Sequence, residues 1–254
     1  MSALLEVDSL SMRFGGLLAV DNVSFSVTSD EIVAVIGPNG AGKTTVFNCV
    51  SGFYHPTGGS VSFNNRPIQR LPGHRIARLG LVRTFQNIRL FRKMTVVENL
   101  LVAQHTRVKT NLLHGLLNSR AYRRSEEEAL DRAVEWLRRV RLLEVANQPA
   151  GTLSYGQQRR LEIARCMVTA PKLLLLDEPA AGLNPQETRA LDDLLLELHH
   201  GHGVGILLIE HDMRMVMDIS HKIVVLDQGR PLATGTPAEI QSDPRVIKAY
   251  LGEA

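Results

Sequence analysis

Four short, almost uninterrupted apolar segments constrain the fold of this chain more than any other feature. They read EIVAVIG at 31–37, KLLLLDE at 172–178, GILLIEH at 205–211 and KIVVLD at 222–227. Strands that are buried on both faces carry such runs, because helices cover both surfaces of a parallel sheet. Helical patterns lie between the segments, so the sequence predicts an α/β domain around a parallel sheet. VSFSV at 23–27 alternates apolar and polar residues, which predicts a strand with one exposed face.

A helical region interrupts this scheme from about 91 to 157, where no convincing strand pattern occurs. Within it, SEEEALDRAVEWLRRV places four apolar residues at helical spacing on one face: Leu130, Ala133, Val134 and Leu137. Ser125 and Glu128 fit a capping box, which predicts that this helix starts at Ser125. We therefore expect a helical subdomain inserted into the α/β core.

The domain organisation follows from these patterns. We predict a single domain over 1–254, with its α/β core at about 1–90 and 158–235, its helical subdomain at about 91–157 and a short C-terminal tail at 236–254. A length of 254 residues suits one large domain, and no internal repeat is evident.

Composition excludes several classes of protein. Hydrophobic residues make up 44% and charged residues 22% of the chain, an ordinary globular balance. The net charge of +3 is too small to argue for a nucleic-acid partner, and we expect none. No apolar run approaches the roughly 20 residues of a membrane helix, and MSALLEVDSLSMRF lacks the layout of a secretion signal. Cys49 and Cys166 lie far apart, so we expect two reduced, packed thiols.

The segment GPNGAGKT at 37–44 fits the phosphate-binding loop pattern G-x-x-x-x-G-K-[ST]. An apolar strand pattern precedes it and a helical pattern follows, which is the context this loop requires. Glycines let several backbone N–H groups face one point, and the helix N-terminus adds partial positive charge there. Lys43 can then reach the β and γ phosphates, and the Thr44 hydroxyl can hold Mg²⁺. The residues expected around ATP are Gly37, Pro38, Asn39, Gly40, Ala41, Gly42, Lys43, Thr44 and Thr45.

Two adjacent carboxylates end the apolar segment LLLLDEP. Asp177 is expected to hold Mg²⁺ through water, and Glu178 to act as the general base that polarises the attacking water. Carboxylates beside a buried strand are costly to desolvate without a cation or substrate, which favours a catalytic role over a simple loop.

With these motifs in place, the whole chain resembles the ATP-binding subunits of ABC transporters. LSYGQQRRLEIARCM at 153–167 is similar to the signature segment of that family, with Tyr155 where the commonest form has glycine. AGLNP at 181–185 occupies the D-loop position, with Asn184 where many members have aspartate. These two departures concern details of the contact between subunits.

The resemblance also implies roles for three scattered residues. Gln86 in RTFQN matches the glutamine of the Q-loop, a metal ligand and catalytic-site residue in the family. His211 in IEHD matches the switch histidine, and Phe14 in MRFGG matches the aromatic residue that stacks on adenine. The implied fold is a P-loop NTPase core with an N-terminal antiparallel β subdomain and an inserted α-helical subdomain.

In that family, ATP and Mg²⁺ lie between two subunits. The resemblance implies that one chain contributes its phosphate loop, Asp177, Glu178 and His211, while the opposing subunit contributes Ser154, Gly156 and Gln157 of its signature segment. Hydrolysis of ATP then requires a second ATP-binding subunit.

A narrower resemblance concerns the transported substrate. QNIRLFRKMTVVENLLVAQH, LLIEHDMRMVMDIS and the terminal AYLGEA are similar to the Liv-type ATP-binding subunit of high-affinity branched-chain amino acid importers. That family implies a second, distinct ATPase subunit, two membrane permeases and a periplasmic amino-acid-binding protein. It also implies a peripheral position on the cytoplasmic face of the inner membrane and uptake of leucine, isoleucine and valine.

Other classes remain open at this stage. Amide or urea importers are near neighbours of the Liv type, and the lipopolysaccharide-export ATPase has similar motifs. A soluble P-loop ATPase, a DNA-repair ATPase, a two-cassette translation factor and a small-molecule kinase belong to different classes. However, no sustained heptad pattern and only one phosphate loop occur here, and such a kinase has no signature segment.

Two polar segments allow both a functional interpretation and a purely structural one. The basic segment 104–125 is either a surface near the permease or anionic lipid, or a solvated helical hairpin. HHGHG at 199–203 suggests a metal site, but its two glycines after a Leu-rich pattern favour a helix end with solvated imidazoles.

Overall fold

The computed structural model describes residues 3–104 and 120–251. Contacts divide the chain into two compact units, Met1–Gln86 with Pro171–Ala254, and Asn87–Ala170. The predicted boundary at 157 differs from this division, because a continuous helix, Tyr155–Met167, spans that position and belongs with the second unit. Most of the basic segment 104–125 lies outside the described residues.

The first unit is built on two sheets. Its described residues form the strands β1 Leu5–Phe14, β2 Leu17–Val27, β3 Ile32–Ile36, β4 Gly58–Phe63, β5 Arg66–Pro67, β6 Leu81–Arg83, β7 Leu173–Asp177, β8 Gly205–Ile209, β9 Lys222–Asp227 and β10 Arg230–Gly235. An antiparallel sheet has the order β2-β1-β4-β5, and a second sheet has the order β10-β9-β3-β8-β7-β6. Five neighbouring strands of the second sheet are parallel, and β10 joins its edge in the antiparallel sense. This mixed architecture confirms the predicted fold class.

The central strands are buried along their whole length, as their continuous apolar runs predict. Every residue of β3, β7 and β8 is buried. The helices of this unit are α1 Lys43–Val50, α2 Gly73–Leu79, α6 Pro185–His202, α7 Met213–Ile219, α8 Pro237–Ser242 and α9 Pro244–Leu251. Helix α1 buries Val46, Phe47, Cys49 and Val50 in a core that it shares with strands of both sheets. Burial of this α1 face fixes the helix that follows the phosphate loop.

The second unit is helical in its described part. Its helices are α3 Val96–Ala103, α4 Arg120–Arg139 and α5 Tyr155–Met167, with short 3₁₀ turns at Leu143–Val145 and Ala150–Thr152. The predicted start of α4 at Ser125 is wrong, because the helix already includes Arg120. The predicted apolar face is only partly buried: Ala133 and Leu137 are in the core, whereas Leu130 is exposed.

The histidine segment 199–203 at the end of α6 corrects another expectation. The helix does end there, at His202, with Gly203 in the left-handed region. His199, however, is buried rather than solvated, and its Nδ1 lies 3.0 Å from the carbonyl oxygen of Val204. Both cysteines are buried free thiols, and burial raises the pKa of Cys49 to about 11.

Candidate functional site

The carboxyl ends of the parallel strands meet at one edge of the larger sheet. Val35 in β3 and Asp177 in β7 both pair with Ile209 in β8, so these three strands end at nearly the same level. The phosphate loop follows β3 and Glu178 follows β7. One residue, Glu210, separates His211 from the end of β8. Ligands of open parallel sheets bind at such edges, because the loops there converge on one crevice.

Two glycines of the phosphate loop have no substitute in this backbone. Gly37 has φ 149°, and a Cβ atom at this position would lie 2.0 Å from the carbonyl oxygen of Leu226. Gly42, at the start of α1, has φ 92°, and its Cβ would lie 2.8 Å from the carbonyl oxygen of Ala19. The loop therefore passes against β2 and β9 at distances that exclude side chains.

Lys43 folds back over the loop that precedes it. Its Nζ donates hydrogen bonds of 2.6 Å to the carbonyl of Gly37 and 2.9 Å to the carbonyl of Pro38. Burial lowers the pKa of this ammonium group, and the negative charge of Glu178 opposes the shift. The cation is thus held at the mouth of the loop, beside the predicted general base.

A cavity of about 420 Å³ lies over the phosphate loop. Its lining combines the loop with residues from three other segments: Leu17, Leu18, Ala19, Asn39, Gly40, Ala41, Gly42, Lys43, Thr44, Thr45, Glu178 and Gln228. Gly37 and Pro38 lie beneath this lining, where they accept the Lys43 hydrogen bonds. Phe14 does not line the cavity, and its ring contacts Tyr54 edge-on at 5.2 Å. Its contact with adenine stays a prediction.

Glu178 is held in an unusual backbone conformation. Its φ is 46°, in the left-handed region that non-glycine residues rarely adopt. Its backbone N–H donates to the carbonyl of Ile209 at 2.9 Å, and its Oε2 accepts a 2.7 Å hydrogen bond from Nε2 of Gln86. The structure thus brings together two residues that are far apart in the sequence. Such conformations persist where surrounding contacts fix them, often at functional sites.

Asp177 faces a different partner, one that the sequence patterns did not reveal. Its Oδ2 forms a 2.6 Å ion pair with Arg83, and both side chains are almost fully buried. Arg83 also donates to Asn48 and to Ser51 of the α1 region, at 2.7 and 2.9 Å. The rings of Phe47, Phe53 and Phe85 lie 5.5–5.7 Å from the guanidinium carbon. Arg83 therefore joins the strand before Gln86 to both the first helix and Asp177.

His211 begins the segment after β8, and its side chain is 65% exposed. Beneath it lies Glu210, which is only 1% exposed. Oε1 of Glu210 accepts a 2.7 Å hydrogen bond from the backbone N–H of Ala180. Its Oε2 accepts from the backbone N–H of His211 at 3.0 Å and of Asp212 at 3.3 Å. Burial raises the pKa of this carboxyl group, and the three N–H donors oppose the shift.

The signature segment lies in the second unit and starts helix α5. Ser154 is its N-cap, and Gly156 is buried in the first turn. Ser154 Oγ accepts from the backbone N–H of Gln157 at 3.3 Å, and Gln157 Oε1 accepts from the N–H of Ser154 at 2.9 Å. The Gln157 side chain thus caps its own helix, while Tyr155 is exposed. An exposed helix N-terminus of this kind suits binding of an anionic phosphate group.

Asn184 has an equally local role. Its Oδ1 accepts the backbone N–H groups of Gln186 and Glu187, at 3.0 and 2.9 Å, and caps α6. An aspartate would supply the same acceptor, so the departure from the commonest D-loop pattern leaves this helix start intact.

The metal ligands available at the site suit magnesium. They are too few for a metal that is held mainly by protein side chains. Thr44 and Asp177 offer hydroxyl and carboxylate oxygens, which Mg²⁺ prefers. The carboxylate is ion-paired with Arg83 through Oδ2, which leaves Oδ1 as the oxygen for a metal or its water. Among residues 3–104 and 120–251, no group of three or more His, Cys, Asp or Glu could hold a metal ion by itself. Mg²⁺ commonly relies on one or two carboxylates together with substrate phosphates.

The sheet edge, loop and carboxylates define a P-loop nucleotide-binding protein with an inserted helical unit. Comparison with known proteins then gives the family. A family model described as ABC transporter matches residues 20–181, and one described as branched-chain amino acid ATP-binding cassette transporter matches residues 230–254. This chain belongs to the ATP-binding cassette proteins of ABC transporters, which hydrolyse ATP.

Individual relatives cover nearly the whole chain. The high-affinity branched-chain amino acid transport ATP-binding protein LivG of Salmonella typhimurium is 64% identical, over 99% of this chain and 98% of that protein. The corresponding BraF of Pseudomonas aeruginosa is 62% identical, with the same two coverages. A crystal structure of the ADP conformation of an ATP-binding cassette of an ABC transporter superposes with a TM-score of 0.86, at 33% identity and full coverage of both chains. In the described ranges 3–104 and 120–251, no helix is both long and apolar enough to cross a membrane.

Sequence reasoning missed Arg83, Glu210 and Gln228. Glu210, like Asp177, is a carboxylate at the end of a buried apolar segment. The reasoning that selected Asp177 therefore applies to Glu210 as well. Arg83 ends a strand of only three residues, too short to recognise from periodicity. Gln228 lies in the β9–β10 turn with φ 46°, and only the fold brings that turn to the cavity.

Proposed function

We propose that this chain is the ATP-binding and ATP-hydrolysing subunit of an importer for branched-chain amino acids. One observation carries the substrate class: identity of 64% to a LivG protein extends over 99% of this chain. The match of residues 230–254 to a branched-chain amino acid family model supports the same class. The chain would act at the cytoplasmic face of the membrane, on two permease subunits supplied by a periplasmic amino-acid-binding protein.

The nucleotide half-site of one chain consists of the phosphate loop, Glu178 and His211. Lys43 exchanges its two loop carbonyls for the β and γ phosphates of ATP, because an ammonium group is attracted more strongly to an anionic phosphate oxygen than to a neutral carbonyl oxygen. Thr44, the amide oxygen of Gln86 and, through water, Asp177 would hold Mg²⁺. When bound, Mg²⁺ neutralises charge on the phosphates.

Glu178 takes the proton of the attacking water. Its carboxylate is oriented by the Gln86 amide and by the backbone hydrogen bond to Ile209. The second half-site comes from another ATP-binding subunit, whose Ser154, Gly156 and Gln157 counterparts meet the γ-phosphate through a helix N-terminus. Adenine stacks on Phe14, whose ring is 40% exposed.

Transport in a reconstituted system tests this proposal. The chain is co-expressed with its permeases and partner ATPase and assembled in proteoliposomes containing ATP, with the cognate binding protein outside. We expect uptake of labelled leucine, isoleucine and valine that the Lys43→Ala variant abolishes. Uptake of urea or an amide instead would assign a neighbouring importer. ATPase activity from a chain that does not associate with any permease would indicate a soluble ATPase.

A further inference from the structure

Glu210 is a buried carboxylate to which the proposed mechanism gives no role. It is 1% exposed, and no Lys or Arg partner appears among its described contacts. Nδ1 of His211 lies 3.8 Å from its Oε2. A buried carboxylate without a strong cationic partner costs free energy, so its retention calls for a specific use.

Its two oxygens contact two separate functional segments. Oε1 accepts the N–H of Ala180, two residues after Glu178, while Oε2 accepts the N–H of His211. The preceding residue, Ile209, accepts the N–H of Glu178 through its carbonyl. The end of β8 therefore holds the turn after β7 at two points, one on each side of the Glu178 side chain.

The turn held in this way contains the strained residue. Glu178 has φ 46°, and Ala181 N–H closes the turn on the Glu178 carbonyl at 3.2 Å. A left-handed conformation at a non-glycine residue is maintained only by its surroundings. The Ala180 hydrogen bond, at 2.7 Å, is the shortest of the three that Glu210 accepts.

We propose that Glu210 is a positioning residue that fixes the general base Glu178 and the switch residue His211 relative to each other through hydrogen bonds to both backbone segments. This inference rests on the proposed function, because it presupposes the catalytic role of Glu178. Glu210 itself contacts neither nucleotide nor water in the reaction. It determines where the base lies when ATP is bound.

The Glu210→Gln variant separates positioning from binding. An amide has one acceptor oxygen and a donor NH₂ group, so it cannot accept from both segments at once. We expect kcat for ATP to fall at least tenfold, while KM and the Kd for a fluorescent ATP analogue in EDTA stay within twofold of the parent. The Glu239→Gln variant is the matched control, because Glu239 also accepts a backbone N–H, from Thr236 at 2.7 Å, at an exposed helix start.

The rates are measured on the full chain assembled with its partner ATPase and permeases, and they are corrected for the stoichiometry of analogue binding. If Glu210→Gln has the kcat of the parent, the proposal is overturned. It is also overturned if kcat falls only in proportion to the fraction of molecules that no longer bind the analogue. If Glu210→Gln does not fold, Glu210→Asp decides, because it keeps the charge but is shorter by one methylene. A tenfold lower kcat at full binding stoichiometry in Glu210→Asp supports the proposal, and a parental kcat overturns it. Absence of ATPase activity in the assembled parent complex, or full activity in the Glu178→Gln complex, instead contradicts the proposed function.

Discussion

The amide nitrogen of Gln86 donates a 2.7 Å hydrogen bond to Oε2 of Glu178. Gln86 is the last residue of the first compact unit before the chain enters the helical unit, and Glu178 follows the central strand β7. The contact connects the predicted general base with the segment that leads into the helical unit. A change in that segment can therefore alter the orientation of the carboxylate.

Replacing Glu178 by glutamine should leave ATP binding intact and stall hydrolysis. The amide keeps the size of the side chain and can still contact Gln86, but it cannot take a proton from water. We expect the ATPase rate to fall about 10²–10⁴-fold, the contribution typical of a general base. Gel filtration with ATP should then reveal a trapped complex with the partner subunit. Turnover equal to that of the parent at saturating partner would rule out this role.

Replacing Gln86 by alanine should uncouple transport from hydrolysis. The variant loses a proposed Mg²⁺ ligand and the hydrogen bond to Glu178, so ATPase activity should fall. Transport should fall further, because Gln86 is also the last residue before the helical unit. Both rates are measured in the same proteoliposomes, with Gln241→Ala, an exposed position of the first unit, as control. Equal fractional losses of the two rates would contradict the prediction.

Replacing Lys43 by alanine should weaken ATP binding at least about tenfold. A hydrogen bond to a charged group contributes roughly 1.5–3 kcal/mol, and the variant loses the cation that faces the phosphates. Isothermal titration of ATP onto the purified chain measures the effect, and Lys93→Ala, an exposed lysine of the second unit, serves as control. Unchanged affinity in Lys43→Ala would remove the basis for the phosphate-loop assignment.

Replacing Arg83 by methionine should lower the free energy of unfolding by about 3–5 kcal/mol, because it leaves the buried Asp177 carboxylate without its partner. Arg245 forms an ion pair of similar length, 2.7 Å to Asp243, but its side chain is 66% exposed. Arg245→Met should therefore leave the unfolding free energy nearly unchanged, because solvent screens an exposed pair. Urea unfolding at one pH compares the two variants. Similar losses in both would show that the buried pair has no special importance for stability.

Replacing Asp192 by asparagine should stabilise the protein at neutral pH. Burial, followed by the charges of Asp218 and Asp212, raises the pKa of Asp192 from 3.8 to about 6, and its Oδ1 lacks a hydrogen-bond partner. The folded state therefore keeps a proton that the unfolded state releases, and the contribution of Asp192 to stability falls as pH rises from about 4 to about 6. At pH 7.5 we expect Asp192→Asn to gain about 1–2 kcal/mol.

The gain from Asp192→Asn should shrink as pH falls below 6 and disappear only below the unfolded-state pKa of 3.8, where the carboxyl group is protonated in both states. Thermal or urea unfolding over this pH range measures the difference from the parent. A difference that does not vary with pH would show that Asp192 has an ordinary pKa in the folded chain.

Sequence alone predicted much of the fold and many of the candidate site residues. The continuous apolar runs located β3, β7, β8 and β9 to within about a residue, because burial on both faces leaves a pattern that no other element needs. The phosphate loop was equally readable, since its backbone path excludes side chains at Gly37 and Gly42. Helix starts in polar segments were less readable, and α4 already includes Arg120, five residues before the predicted capping box at Ser125.

What the sequence determined by itself is therefore local: which segments are buried strands, which loop can surround phosphate, and which residue types stand at strand ends. The tertiary structure alone decided which of these residues meet. Gln86 with Glu178, Arg83 with Asp177, and Glu210 with Ala180 are separated by 92, 94 and 30 positions along the chain. The order of strands in the parallel sheet decides which residues come into contact. Backbone hydrogen bonds between strands form that order, and they leave no pattern in the sequence of any single strand.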